Sequence, residues 1–289
     1  MAGTFFHLWL AQRAYPGVFP GRVEEAPQGN VWAAFLAGSV APDMGYFPGG
    51  PRRFSVRVHH EHTGDFLRAL RDEARDEVEQ AFVAGWALHV YADVVLHPWV
   101  NACVATLLQG RSGCAATRRD LWHMRLEHGI DCVLLERDEL QFMWGVNLCF
   151  PLRSDGPGLV ATAAEPFYGE DVREVQIIQG MGSLKKWVRR LPRLFLWTGR
   201  TCPTRYRGII SALGSCARPL VGKLLGDWLE AVEYLENAAA VALPLHPEQA
   251  ILTRATDLGS QALEAFRSGY ADRFASLANL DLDSGQEVG

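Results

Sequence analysis

The chain has 289 residues, of which 48% are hydrophobic, enough to build a sizeable buried core. Its formal net charge of −5 and its isoelectric point near 6.0 give no overall attraction for nucleic acid, so no stable nucleic-acid partner is expected. The six cysteines form no Cys-x-x-Cys pair, which disfavours a disulfide-stapled secreted domain. The first ten residues lack a basic segment and carry only a short apolar run, so we expect a cytoplasmic protein.

Helical periodicity recurs along the chain, without β-type alternation, internal repeats or a glycine-rich phosphate loop. This pattern predicts an all-α fold, a multi-helix bundle that forms one domain over residues 1–289, with a histidine-rich half at 1–145 and a C-terminal helical half at 146–289. Thr63 is a candidate helix N-cap, and the polar residues from Asp281 onward are expected to fray. The helices are predicted at residues 4–15, 31–40, 63–79, 82–101, 120–136, 161–181, 220–242 and 250–275.

The helix predicted at 82–101 is apolar nearly throughout, yet His89, Asp93 and His97 recur in it at intervals of four. Four residues are about 400° of helical turn, so the three side chains form one stripe on one face. An unpaired polar group in such surroundings costs on the order of 1–3 kcal/mol, and an unpaired charge costs more. A bound metal ion would satisfy all three groups.

A second pair, His123 and Glu127, has the same spacing in the helix predicted at 120–136. Imidazole and carboxylate groups together are typical of zinc sites. His89 and His97 would lie about 12 Å apart along the helix axis, while zinc–ligand bonds are about 2 Å long, so one ion can hardly reach both. The spacing therefore favours two or more ions, with Asp93 as a candidate bridge, and such clusters can activate water and clamp a phosphate.

The remaining histidines need no metal to explain them. For His60, His62, His128 and His246 we expect local hydrogen bonding, which is the usual state of a polar side chain. Asp43 follows Pro42, which ends a helix and places the acid at a turn beside the core. By itself that position is typical of a turn residue.

Taken together, these motifs occur in the order found in the zinc-dependent phospholipase C family, which the first 135 residues resemble. The resemblance implies an all-helical fold and, as in the related single-strand nucleases, a trinuclear zinc cluster that hydrolyses phosphodiester bonds. The motifs that carry it are His7, Ala41-Pro42-Asp43, the segment from His59 to Gly64, His89-x-x-x-Asp93-x-x-x-His97-Pro98 and His123-x-x-x-Glu127.

Carried over by motif, the resemblance implies two or three zinc ions. It favours His59 over His60 as a ligand, because the segment from His59 to Gly64 better matches the His-x-x-x-Thr-Gly motif of the family. It also implies that a metal-activated hydroxide attacks phosphorus, with Asp43 as a candidate base as well as a ligand. The implied ligand sets are Asp43, His59, His89 and Asp93 for one ion; His97, His123 and Glu127 for a second; and His7 with the Asp93 carboxylate for a third.

A basic segment at residues 184–207 holds eight Lys and Arg residues among four aromatic residues, with no acidic residue. It could bring the protein to anionic lipid headgroups as a peripheral membrane contact, or meet a nucleic-acid backbone. We favour the plainer interpretation, a solvated cationic face whose aromatic residues fill the core.

Three functions stay open on the sequence alone. The leading hypothesis is a zinc-dependent phosphodiester hydrolase, with a phospholipid or another phosphodiester as its substrate. The alternatives are a nuclease-like phosphodiesterase, which the acidic net charge weakly disfavours, and a non-catalytic helical binding protein in which the metal ions only staple the fold.

Overall fold

The computed structural model describes residues 3–25, 29–108, 123, 126–127, 130–131, 134, 147–153, 158–169, 173–200 and 247–288. Helices dominate these residues, which confirms the prediction of an all-α fold. The described α-helices are α1 (Thr4–Val18), α2 (Asn30–Val40), α3 (Arg52–His60), α4 (Thr63–Glu73), α5 (Glu77–Leu108), α6 (Leu159–Tyr168), α7 (Glu174–Arg200) and α8 (Pro247–Ala271). Two 3-10 helices, Pro20–Glu25 and Ala41–Tyr46, and an antiparallel hairpin of β1 (Leu280–Asp281) and β2 (Gln286–Glu287) are also present.

Helix α5 lies at the centre of the bundle and packs chiefly against α2 and α8. Two glycines set its distance from α2. A Cβ atom on Gly38 of α2 would overlap the Phe82 carbonyl oxygen, and one on Gly85 of α5 would overlap the Phe35 carbonyl oxygen. The two helices therefore cross in backbone contact, which brings the end of α2 beside His89. No helix in the described ranges combines the length and the apolar character needed to cross a bilayer.

Helix α1 is held at its start by a carboxylate from another helical part of the chain. The Asp131 Oδ1 atom accepts hydrogen bonds from the backbone N–H groups of Phe5 and Phe6, at 3.1 and 2.9 Å. The first N–H groups of a helix have no partner within it, so this carboxyl group caps α1 from outside. Burial raises the pKa of Asp131 well above its usual range, even though the two backbone hydrogen bonds oppose that shift. The cap helps to fix the position of His7, the next residue along the helix.

Some predicted helix boundaries were wrong. Helix α1 continues through Pro16 to Val18, because a proline in the last turn removes only one hydrogen bond from the helix. The helix predicted at 63–79 ends at Glu73, and α5 begins four residues later.

Further along, the helix predicted at 161–181 is in fact two helices, α6 and α7. Gly169 lies between them with a φ of +55°, a backbone conformation that right-handed helices do not contain. The helix predicted at 220–242 lies outside the described residues. In the segment predicted at 120–136, the described residues are helical. The division of the chain into two halves stays a prediction.

The expectation that the chain frays from Asp281 onward was wrong, and so was the assignment of Thr63 as an N-cap by its side chain. The Asn279 Oδ1 atom instead accepts hydrogen bonds from the N–H groups of Gly64 and Asp65, at 3.1 and 3.0 Å, and so caps α4. The Thr63 hydroxyl donates to the Leu280 carbonyl oxygen at 3.0 Å. Asn279 and Leu280 thus tie the end of the chain to α4, and the residues from Asp281 onward pair with them in the hairpin of β1 and β2.

Candidate metal centre

The structure brings the eight predicted site residues together in one place. They come from α1, the 3-10 helix Ala41–Tyr46, α3, α5 and the helical residues around Leu126, and seven of them have at most 4% of their surface exposed. The eighth, His123, has 15% of its side chain exposed. So much buried imidazole and carboxylate is costly unless the groups satisfy one another or a bound cation.

The first cluster consists of Asp43, His59 and His89, which meet Asp93 at its edge. His59 Nε2 lies 3.3 Å from Asp43 Oδ1 and 3.2 Å from His89 Nε2. His89 Nε2 lies 3.1 Å from Asp93 Oδ2. Two imidazole nitrogens and two carboxylates therefore point at a common centre.

The hydrogen bonds behind the two rings of this cluster fix which of their nitrogens carries the proton. His59 Nδ1 lies 2.6 Å from the Ser55 carbonyl oxygen, and His89 Nδ1 lies 3.0 Å from the Ser39 carbonyl oxygen. A carbonyl oxygen only accepts hydrogen bonds, so both Nδ1 atoms carry hydrogen and, in the neutral rings, both Nε2 atoms present lone pairs. Two lone pairs that face each other at 3.2 Å need a positive charge between them, either a proton or a metal ion.

Asp93 faces two directions. Its Oδ2 atom lies 3.1 Å from His89 Nε2 and 3.5 Å from His59 Nε2, while its Oδ1 atom lies 3.1 Å from His7 Nε2 and 3.6 Å from His97 Nε2. Burial would raise the pKa of Asp93, but His89, His97 and His7 lower it well below its usual range. The group is therefore a carboxylate with one oxygen towards each side, the geometry expected of a bridging ligand.

The second cluster consists of His97, His123 and Glu127. Glu127 Oε1 lies 3.1 Å from His97 Nε2 and 3.0 Å from His123 Nε2. Burial opposes a positive charge on His97, but Asp93, Asp283 and Glu127 raise its pKa well above the usual value. Glu127 is also buried, yet His123 and His97 lower its pKa. The negative potential that favours a proton here equally favours a metal cation.

His7 forms a third group with His89 and Asp93. Its ring stacks on His89 with 4.0 Å between the ring centroids. Burial and the neighbouring His89 lower the pKa of His7, so its imidazole is neutral and has a lone pair to offer. The resemblance assigned His7 and Asp93 to a third ion, and the structure adds His89 to the same group.

The residues present fit zinc on two counts. In each of the three groups the potential ligand atoms lie within 4.8 Å of one another. Buried polar atoms of His7, Asp43 and Asp93, together with both ring nitrogens of His97, have no well-aligned hydrogen bond to any described residue. Unsatisfied imidazole nitrogens and carboxylate oxygens that converge in a buried site are what a zinc ion requires.

Sequence reasoning missed several residues that lie beside the candidate ligands. Asp283 Oδ1 lies 3.0 Å from His97 Nδ1, and Asn101 Oδ1 lies 3.1 Å from His123 Nδ1. It also missed Tyr46, whose ring centroid lies 5.9 Å from that of His59 and whose pKa is raised by burial and by the surrounding carboxylates. The only signal for Asp283 in the sequence was an acidic tail, which by itself is typical of a solvated chain end.

The histidines expected to lie outside the metal site behave differently from the cluster. His60 is 37% exposed, and its Nδ1 atom lies 2.7 Å from Asp281 Oδ1. His62 is 46% exposed at the start of α4, where its φ is +54°. His128 and His246 lie outside the described residues.

Part of the basic segment is described. In α7, Lys186, Arg189 and Arg190 are exposed, while Trp187 is partly buried against the core and Val188 is fully buried. An amphipathic helix that buries its apolar side has this pattern. Residues 201–207 lie outside the described residues, and the membrane contact stays a prediction.

Residues 6–164 match the family model described as zinc dependent phospholipase C. This match spans more than half of the chain and includes all eight site residues. The chain belongs to the zinc-dependent phospholipase C family. Comparison with curated proteins and with solved structures found no match.

Proposed function

We propose that this protein is a zinc-dependent phosphodiester hydrolase that acts on phospholipid. Membership of the phospholipase C family supports the substrate class. The two-sided placement of Asp93 carries the proposal, because its Oδ2 atom faces the first cluster and its Oδ1 atom faces His7 and His97. A carboxylate shared between two sets of imidazoles is suited to hold cations close enough to act on one phosphate group.

The proposed ligands follow the three groups. One zinc ion would be held by Asp43, His59, His89 and Asp93, a second by His97, His123 and Glu127, and a third by His7 with Asp93. Bound zinc supplies Lewis-acid activation of water and neutralises phosphate charge.

The residues of the chain supply orientation and a proton acceptor. The carbonyl oxygens of Ser39 and Ser55 keep the Nε2 atoms of His89 and His59 available to bind. Asp43 is buried, which would raise its pKa, but His89 and His59 lower it, so it is ionised at neutral pH. It is therefore a candidate base as well as a ligand.

Substrate approaches from the side of the second cluster in this proposal. The side chains of the first cluster are at most 5% exposed, whereas His123 is 15% exposed and the nearby Asp283 is 47% exposed. Tyr46 keeps its proton because burial and the adjacent carboxylates raise its pKa, so its phenol can donate a hydrogen bond to a phosphate oxygen.

The test compares the wild-type protein with Asp93→Asn, and with Asp272→Asn as a control on the exposed end of α8. We expect elemental analysis to give two or three zinc ions per wild-type chain, to fall sharply for Asp93→Asn and to stay unchanged for Asp272→Asn. We also expect the wild type to hydrolyse phosphatidylcholine in mixed micelles, with the loss of activity following the loss of metal.

Other outcomes would replace the proposal. Turnover of single-stranded DNA without turnover of phospholipid would identify a nuclease-like phosphodiesterase. Full zinc occupancy without hydrolysis of either substrate would identify a binding protein in which the metal ions stabilise the fold. A folded wild-type protein that takes up no zinc would overturn the metal centre itself.

A further inference from the structure

The C-terminal hairpin reaches the candidate metal centre from outside the family match. The match ends at residue 164, whereas the hairpin spans β1 and β2 near the end of the chain. The Leu282 backbone N–H donates to the His59 carbonyl oxygen at 2.8 Å, and the Leu282 side chain is 1% exposed. The turn of the hairpin is thereby fixed beside α3.

Its turn places a carboxylate on the outer nitrogen of a proposed zinc ligand. Asp283 Oδ1 lies 3.0 Å from His97 Nδ1, while His97 Nε2, on the other side of the ring, faces Glu127 at 3.1 Å. A carboxylate beside Nδ1 favours the tautomer in which Nδ1 carries the hydrogen and Nε2 is free to bind. Carboxylates that orient metal-binding histidines in this way also raise the basicity of the ligand.

The same residue acts on the second histidine through its backbone. The Asn101 Nδ2 atom donates to the Asp283 carbonyl oxygen at 2.8 Å, which leaves the Asn101 Oδ1 atom to face His123 Nδ1 at 3.1 Å. An amide oxygen only accepts, so His123 Nδ1 carries hydrogen and its Nε2 atom points at Glu127, 3.0 Å away. Both imidazoles of the second cluster are thus held from behind by Asp283, one directly and one through Asn101.

The hairpin is anchored well enough to hold them. Asn279 caps α4, the Thr63 hydroxyl bonds to Leu280, and the Val288 N–H donates to the Asn279 carbonyl oxygen at 2.9 Å. Anchored on both sides, the turn keeps Asp283 in a fixed position relative to α5.

We propose that Asp283 is a positioning residue for the second metal cluster, and that the C-terminal hairpin is therefore part of the metal centre. The proposal rests on the metal centre put forward above. It requires that loss of Asp283 weakens metal binding at His97, His123 and Glu127 without weakening it at Asp43, His59 and His89.

The test is a zinc-competition titration of the full-length metal-free protein in a His59→Gln background, which removes a ligand of the first cluster and leaves every ligand of the second cluster in place. We expect Asp283→Ala to weaken zinc binding 10- to 100-fold, the range seen for outer partners of ligand histidines. Asp283→Asn should cost less, because its amide group keeps an oxygen beside His97 Nδ1. Glu287→Gln, an exposed change in β2 of the same hairpin, should have no effect.

A double-mutant cycle separates positioning from general damage. In a His123→Gln background, which already lacks a ligand of the second cluster, Asp283→Ala should leave zinc affinity at the first cluster within twofold. Equal weakening of both clusters, or a lower melting temperature of the metal-free Asp283→Asn protein, would show a merely structural role and overturn the proposal.

The two proposals fail in different ways. Wild-type protein that binds zinc, with unchanged affinity in both Asp283 variants, would overturn only the role of Asp283. Wild-type protein that binds no zinc would overturn the metal centre and this inference together. If Asp283→Ala fails to fold, the result for Asp283→Asn decides.

Discussion

The two candidate metal clusters are built on different supports. In the first, the outer nitrogens of His59 and His89 are held by backbone carbonyl oxygens, those of Ser55 one turn back in α3 and Ser39 near the end of α2. In the second, His97 and His123 depend on side chains, Asp283 from the hairpin and Asn101 from α5. Backbone supports are inseparable from the fold, whereas side-chain supports can be lost by single substitutions.

Helix geometry explains why His89 in the first cluster can use the backbone. The last four carbonyl groups of a helix have no partner within it, so Ser39, one residue before the end of α2, has a carbonyl oxygen to offer. The close crossing at Gly38 and Gly85 carries this oxygen to His89. No such helix end lies behind His97 among the described residues, and the hairpin supplies the acceptor there.

Removal of metal should have the largest effect and should distinguish the clusters. A ligand at 1,000 times its dissociation constant stabilises the folded state by about 4 kcal/mol. At about 2–4 °C per kcal/mol, we expect chelation to lower the melting temperature by roughly 8–16 °C per ion lost.

Release of zinc followed with a chromogenic chelator should be biphasic, with the more exposed second cluster emptied first. His123→Gln should remove the fast phase, and a fast phase that persists would contradict this order.

Gly85→Ala should disturb the first cluster indirectly, by forcing α2 and α5 apart. The new Cβ atom would overlap the Phe35 carbonyl oxygen, and no change of rotamer relieves a clash with backbone, so we expect the free energy of unfolding to fall by about 3 kcal/mol, the upper end of the usual cost of overpacking. Urea denaturation measures this change. Gly182→Ala is the matched control, because a Cβ atom in that position of α7 meets open space and should not destabilise the protein. Equal stability of the two variants would contradict a backbone contact between α2 and α5.

The sequence predicted the inner part of the site because its signals are local. The i, i+4 spacing of His89, Asp93 and His97 needs only a helix to become a stripe, and the two-sided role inferred for Asp93 followed from the 12 Å length of that stripe. The structure shows in addition that this stripe lies against α1 and against the 3-10 helix that carries Asp43.

The outer part of the candidate site could not be predicted, because its contacts join residues that are far apart in the sequence and follow no periodic pattern. Asn101 and Asp283 are 182 residues apart, and Asp131 caps α1 across 126 residues. Each of these acids or amides is an ordinary surface residue by composition. Only the fold shows that Asp131 and Asp283 face buried or ligand-bearing groups.

Asn279→Ala should loosen the hairpin moderately. It removes the acceptor that caps α4 at the N–H groups of Gly64 and Asp65, which typically costs about 1 kcal/mol. Because Asp283 depends on the same hairpin, zinc affinity of the second cluster should fall slightly while that of the first stays unchanged. Calorimetry and zinc competition measure the two effects. Gln286→Ala, an exposed change in β2, should leave both unchanged; a matching loss there would show that any change in the hairpin has this effect.

His60→Gln should have the smallest effect and tests which of two adjacent histidines belongs to the first cluster. His59 is 4% exposed and lies 3.2 Å from His89, whereas His60 turns outward to Asp281. A partly exposed contact between an imidazole and a carboxylate contributes about 0–1 kcal/mol, so we expect His60→Gln to keep its full zinc content and a nearly unchanged melting temperature. His59→Gln should lose the zinc of the first cluster. Of these two adjacent rings, only that of His59 is held by a backbone carbonyl oxygen. Zinc loss in His60→Gln with retention in His59→Gln would therefore reverse the assignment on which the contrast between the clusters depends.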